Sequence, residues 1–341
     1  MRIAILGYYE AQNAGDDRIQ HAMRKGLTSD QLTFYRAWGD LKAKKREIEQ
    51  HDFLIIGGGG LIIRNTNSLA SLIQHIQIPF AVIGISVSSN AEDNQECIRA
   101  LAQNACYINV RDKKSFEIFN LYSPKCEVQQ SYDLTFACPF NSKVETLRSG
   151  KIGISLRDWH DFRSEQYSRE FQRKQWLKHQ LKKLNISFPF IKHWNIARFN
   201  EFVTSLPGEK LGFLMDKTQD IAALKQIDLK SIEPFDAKTF AQYDIVIAMR
   251  LHACIFATQM GIPFIALNYM EKVRNFCEEI GHGEFCVDLN KISDIEQILA
   301  RLQTKKQEVT ENLLHHREQG QRSTLDVFTE LKQVINIQVS P

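Results

Sequence analysis

Arg250 and His252 are the residues whose types and spacing most directly suggest chemistry. They stand between a short apolar run, residues 244–248, and a small-residue stretch, 253–260, that is closed by Gly261. The run is β-branched and does not alternate, which suits a parallel strand buried on both faces. The stretch after it predicts a helix with a glycine stop, followed by Pro263 and a second strand over 264–267. Such a βαβ unit sets a fixed cation and a titratable imidazole at the carboxyl end of a strand. The helix N-terminus there adds unpaired N–H donors and a partial positive charge. That convergence predicts an anionic ligand, most simply a carboxylate or a phosphate. Either residue alone is commonly a surface charge or a cap; the reading rests on finding both at one strand end.

Other residues at predicted strand ends join them. Near the start, a strand over 2–6 leads through Gly7-Tyr8-Tyr9 to Asn13, Gly15, Asp16 and Asp17 and then an amphipathic helix to about Lys25. Asn13 can cap that helix, Gly15 permits a close approach, and the two aspartates suit its first turn. A third strand over 53–56 runs into Gly57, Gly58, Gly59 and Gly60, expected as a turn whose backbone is approached closely by substrate or by a packed helix. It is neither a P-loop nor a dinucleotide fingerprint, because Leu61-Ile62 follows the glycines. Arg111-Asp112 follows a strand over 107–110, Asp133-Leu134-Thr135-Phe136 comes later, and Arg157 ends a strand over 152–156. Asn268, Tyr269 and Lys272 follow the strand over 264–267.

The elements that must position these residues repeat one plan. Asp52 and an apolar run, a special loop, a helix and Ile78-Pro79-Phe80 are matched by Asp244 and its run, a loop, a helix and Ile262-Pro263-Phe264. With 341 residues the chain exceeds one ordinary core. We therefore expect an α/β fold of two Rossmann-like, doubly wound parallel-sheet domains facing a cleft, a GT-B-like architecture. The expected domains are 1–141 on the acceptor side, 150–310 on the donor side, and a C-terminal helix over 311–341 that returns to the first domain. Pro139, Asn141 and Ser142 mark the boundary. Further strands are expected over 32–35, 80–85 and 211–215, and helices over 40–50, 220–227 and from 294 to about 335.

Composition narrows the function classes. A net charge of +3 is too weak to argue for nucleic acid. The seven cysteines are odd in number and lack metal-ligand spacing, so they are expected as buried thiols in a reducing compartment, with no metal. No apolar run reaches the ~18 residues of a membrane span, and the expected location is cytoplasmic. Residues 157–198 hold ten Lys or Arg against four Asp or Glu, with Trp159, Trp176 and Trp194 among them. The simple reading is a helix with a solvated basic face. A sugar-stacking acceptor site, or contact with an anionic membrane at its inner face, stands beside it.

Four landmarks together resemble the polysaccharide pyruvyl transferase family over residues 2 to about 289. They are Gly7-Tyr8-Tyr9 with Asn13-x-Gly15-Asp16-Asp17, the glycine run before Leu61, Arg111-Asp112-x-x-Ser115 with Asp133-x-x-Phe136, and Arg250-Leu251-His252 with Gly261-x-Pro263, Tyr269 and Lys272. Glu10 departs from the pattern, standing where a glycine is common. The resemblance implies transfer of a pyruvyl group from phosphoenolpyruvate to two hydroxyls of one sugar unit of a surface polysaccharide or its lipid-linked precursor, with no cofactor besides that co-substrate. It assigns Arg250, with Arg157 and Lys272, to the anionic groups, and His252 to proton donation or phosphate contact. Asp16 or Asp17 is assigned as base. Asn13, Gly15, Gly58, Gly59, Gly60, Arg111, Leu251, Asn268 and Tyr269 are expected to line substrate. The oligomeric state is left open. Two alternatives are a nucleotide-sugar glycosyltransferase, for which Glu271 and Glu279 have a suitable spacing, and a non-catalytic glycan-binding or partner protein.

Overall fold

The computed structural model describes residues 1–9, 12–27, 31–37, 39–62, 66–87, 94–140, 150–157, 177 and 196–339. Glu10, the 141–142 boundary and nearly all of the basic 157–198 segment, with its three tryptophans, lie outside the described residues. Two units divide the chain: Met1–Pro139 with Arg317–Pro341, and Phe140–His316.

In the first unit β1 (Arg2–Gly7), α1 (Ala14–Gly26), β2 (Gln31–Arg36), α2 (Leu41–Ile48), β3 (Phe53–Ile62), α3 (Asn67–His75), β4 (Phe80–Val87), α4 (Gln95–Asn104), β5 (Tyr107–Val110), α5 (Lys113–Asn120) and β6 (Val128–Gln130) follow one another. All pairings are parallel, in the order β2-β1-β3-β4-β5-β6. Strands β3 and β4 are buried along almost their whole length, as non-alternating apolar runs require when both faces of a parallel sheet are covered. Alternate residues serve the two faces. Ile3, Ile5, Phe53 and Ile55 pack with Ile19 and Met23 of α1 and with Phe328 and Leu331 near the C-terminus. Ala4, Leu6, Leu54 and Ile56 pack with Leu69, Leu72, Ile98 and Leu101 of α3 and α4.

The second unit contains β7 (Lys151–Ser155), α6 (Ile196–Ser205), β8 (Glu209–Leu214), α7 (Ile221–Leu224), β9 (Ser231–Pro234), α8 (Ala237–Phe240), β10 (Ile245–Ala248), α9 (Leu251–Met260), β11 (Phe264–Asn268), α10 (Glu271–Glu279), β12 (Cys286–Asp288) and α11 (Ile295–Thr304); α12 (Lys306–Val339) ends the chain. Its sheet is also parallel, in the order β12-β11-β10-β7-β8-β9. The chain is thus α/β with two Rossmann-like parallel sheets. No helix among the described residues is long and apolar enough to cross a membrane. All seven cysteines are free.

The glycine run corrects an expectation. It does not end a strand but continues β3 to Ile62, with a register shift against β4 between Gly59 and Ile62. Gly58 and Gly59 hold φ of 79° and 92°, a region that L side chains rarely adopt, so the irregularity needs these residue types. The short edge strands β6, β9 and β12 are additions. The helix expected over 220–227 is a single turn, 221–224.

His282 ties the second sheet to the segment after α10. It is 1% exposed, donates from Nε2 to the Phe264 carbonyl at 2.8 Å, and lies against the rings of Phe264 and Phe285. Burial pushes its imidazole down to about 4. An unfolded histidine titrates near 6.5, so between these values the unfolded chain binds the proton and the folded one does not. The stability from neutral His282 is complete above about pH 6.5 and is lost as pH falls towards 4, on the order of 3 kcal/mol across the interval. In urea titrations from pH 7 to 4.5, His282→Gln should lose midpoint less steeply than the parent. Parallel pH profiles would remove His282 as a determinant.

Candidate functional site

In the second sheet β7, β8 and β9 are laid down in one direction from the centre and β10, β11 and β12 in the other, so the switch point lies between β7 and β10. Ligands of open α/β sheets bind beyond the carboxyl ends of strands at such a point. Arg157 follows β7 and Arg250 follows β10, one on each side of it. Both emerge from strands whose register is pinned by Ala248 opposite Ser155.

Arg250 is not a free cation, which refines the sequence expectation. It is the N-cap residue of α9, extended in backbone and without a side-chain cap, and it is 8% exposed. Nε donates to Asp220 Oδ1 at 2.9 Å, Nη2 donates to the same oxygen, and Asp216 lies 3.6 Å from Nη2. The acceptors belong to the β8–α7 loop, which the sequence reading passed over. Asp220 Oδ2 accepts from the backbone N–H of Met215 and Asp216, at 3.0 and 2.9 Å. Asp216 Oδ1 accepts from Thr218 N, Thr218 Oγ1 and Gln219 N. Burial lifts the Asp220 carboxyl, an effect opposed by Arg250 and the backbone donors. An Asp-x-x-x-Asp pair after a strand end was the available signal.

Arg157 is held from two sides. Nη1 donates to the Tyr269 hydroxyl at 3.3 Å and Nη2 to Gln219 Oε1 at 3.1 Å, while the guanidinium stacks 5.2 Å from the Tyr269 ring centre. Its Nε is buried with no hydrogen-bond partner among the described residues, as are Ser155 Oγ and Asn268 Oδ1 at the ends of β7 and β11. Tyr269 is fully buried. Burial alone raises its phenol, but Lys272, Arg157 and Arg250 outweigh burial and bring it down to about 8. Lys272, Arg157 and Arg250 thus face the Tyr269 phenol at an edge where Asp216 and Asp220 approach Arg250. Asn268 Nδ2 and Arg274 both donate to Asp288, fixing the ends of β11 and β12 together. Leu251 is buried as the first residue of α9, and His252 is half-buried in its first turn, its ring centre 6.1 Å from that of Phe256. His252 was expected before a helix starting at 253; it lies inside the helix and is not its cap.

The first sheet has its switch between β1 and β3, and there too the expected residues gather. Asn13 Oδ1 accepts from Gly15 N at 3.0 Å and caps α1. Asp16 is buried, and a Cβ built on Gly59 would lie 3.5 Å from its Oδ1. Asp17 is exposed, so the two aspartates separate and only Asp16 faces the glycines. Tyr9 donates to the Gly57 carbonyl at 2.7 Å, and Gly60 is half-buried further along β3. Arg111 was expected to line substrate. It is 7% exposed and donates to Asp133 at 2.7 Å and to Ser86 Oγ at 2.8 Å. The two segments of one sequence landmark therefore meet in an internal ion pair.

A family model described as polysaccharide pyruvyl transferase matches residues 6–203 and 236–271. No curated protein matches the chain in sequence. Among solved structures, the chain is similar to an Anabaena HepE protein in complex with UDP, at 9% identity over 99% of this chain and 100% of that one, with a TM-score of 0.57. A putative UDP-N-acetylglucosamine 2-epimerase from Listeria monocytogenes matches at 11% identity over 97% and 96%, TM-score 0.57. Spinosyn rhamnosyltransferase SpnG with thymidine diphosphate matches at 11% over 97% and 100%, TM-score 0.54. At such identities the likeness shows the fold, which is GT-B-like.

The Arg250 pair has a consequence for any variant at that position. Arg250→Met removes one partner and leaves Asp220 charged and buried, which should cost about 3–5 kcal/mol in urea unfolding. Adding Asp220→Asn should recover part of that loss. A single variant as stable as the parent would show that the pair is not what holds the loop.

Proposed function

The chain belongs to the polysaccharide pyruvyl transferase family, and from that premise we propose that it transfers a pyruvyl group from phosphoenolpyruvate to two hydroxyls of one saccharide unit. The products are a cyclic ketal and inorganic phosphate. The observation that carries this reading is the gathering of cations at the switch point of the second sheet, where Arg157 follows β7, Arg250 follows β10 and Lys272 comes after β11. Phosphoenolpyruvate brings a carboxylate and a phosphate, and two guanidinium groups suit two such anions.

The reaction asks three things of the residues. A proton must reach C3 of the donor, which makes C2 electrophilic; His252, in the first turn of α9 beside Arg250, is the proposed donor. A hydroxyl must then add to C2 and lose its proton, and Asp16, buried beside Gly59, is the proposed base. Finally the C2–O bond to phosphate breaks as the second hydroxyl forms the ketal, and the arginines stabilise the departing dianion. The books balance: of the two hydroxyl protons, one is accounted for at C3 and one on phosphate. The acceptor is proposed as a saccharide, lipid-linked or free, with peripheral contact to an anionic membrane an open part of the same proposal.

A nucleotide-sugar glycosyltransferase is the second reading, favoured by neighbours solved with UDP and thymidine diphosphate. Glu271 and Glu279 bracket α10, and Glu279 is exposed at the end of the helix away from the strand edge.

Calorimetry with phosphoenolpyruvate and with UDP-sugars separates the two, followed by incubation with phosphoenolpyruvate and a panel of lipid-linked and nitrophenyl glycosides, reading phosphate release and product mass. Phosphoenolpyruvate is expected to bind, to raise the melting temperature with saturation, and to yield a ketal-bearing glycoside. Binding of a UDP-sugar alone would favour the glycosyltransferase. In the active pairing, His252→Asn is expected to fold normally and lose ~10² or more in kcat; full activity would remove it from the chemistry.

A further inference from the structure

Gln219 is exposed, yet its one carbonyl oxygen accepts from Nη2 of Arg157 at 3.1 Å and from Nη2 of Arg250 at 3.4 Å. We infer that Gln219 is a positioning residue that fixes the spacing of the Arg157 and Arg250 guanidinium groups and so determines which two-group anions the switch point accepts. This rests on the reading of that edge as the donor site, and it adds a residue that no sequence landmark contains. Gln219 lies between the two segments that the family model matches.

The geometry supplies each part of the device. Gln219 N is bonded to Asp216 Oδ1 at 3.0 Å, so its side chain starts from an anchored backbone. Arg157 is anchored to Tyr269 through Nη1, leaving Nη2 for Gln219, and Arg250 is anchored to Asp220 through Nε and Nη2, the same Nη2 also reaching Gln219. The amide oxygen is the link that joins the two anchored cations. It is neutral, and that is why an amide suits the position: a carboxylate there would hold both arginines more tightly and cancel one of the charges meant for ligand. A held pair of cations reads the separation between two anionic groups on one ligand. A single anionic group is indifferent to that separation.

The test compares the parent with Gln219→Leu, Gln219→Glu and, as a control, Gln226→Glu, which puts the same charge on an exposed residue near α7. Each is titrated calorimetrically with phosphoenolpyruvate, UDP and inorganic phosphate, and its melting temperature is recorded. Gln219→Leu should keep its melting temperature and weaken the two-group anion that the parent binds by ~10-fold, while inorganic phosphate moves less than ~3-fold. Gln219→Glu should weaken all bound anions, and Gln226→Glu should shift none beyond ~2-fold because the charge is exposed and screened. An unchanged ratio of two-group to one-group affinity in Gln219→Leu overturns the inference, as does a parent that binds neither phosphoenolpyruvate nor UDP. Binding of UDP without phosphoenolpyruvate, with the same loss in Gln219→Leu, overturns the donor assignment and leaves the role of Gln219 standing.

Discussion

The second unit depends on the ion pair between Arg250 and Asp220. Asp220 is fully buried, and it would be untenable there as a lone carboxylate; the Arg250 fork and two backbone N–H groups make its burial possible. The same pair fixes the loop that follows β8, and through Asp216 and Gln219 that loop reaches Arg157 beyond the neighbouring strand. A cation that is half-neutralised by buried acids gains a defined position in exchange for net charge. At the anion site proposed here, position is worth more than an extra unscreened charge.

Tyr269 shows the other side of that electrostatic balance. A buried phenol is ordinarily harder to ionise, and Tyr9, Tyr107 and Tyr243 behave that way. Tyr269 departs because Lys272, Arg157 and Arg250 all face it. Its lowered phenol follows from those three cations meeting beside it at the carboxyl edge of the second sheet. The first sheet carries a different chemistry at its own switch point: an acid, Asp16, packed beside the positive-φ Gly59, with Ile19 of α1 seated against Gly58. The two strand orders differ as well, with one strand beyond the starting strand in the first sheet and two in the second.

Much of this was present in the sequence by itself. Non-alternating apolar runs such as residues 53–56 and 245–248 suit strands covered on both faces, which points to a parallel α/β sheet and its helices. Punctuation did the rest locally: Asn13 caps α1, Asp40 caps α2, and Gly261 takes the left-handed conformation that ends α9. Arg157 and Arg250 were legible as site candidates because strand ends are where such folds bind ligands, and Tyr269 and Lys272 because they match the family pattern. The tertiary structure alone decided what those residues touch. Asp220 meets Arg250 from 30 positions away and Gln219 meets Arg157 from 62, and no local pattern encodes such pairings. Arg111, expected to line substrate, and Asp133, from the segment that accompanies it, are one buried pair. The edge strands β6, β9 and β12 are too short and too polar to show a period; their neighbours in the sheet impose the extended form. The physical reason is one of range: apolar periodicity and capping act over a few residues and are written in order along the chain. The partner of a buried charge is whatever group the completed sheet brings within reach.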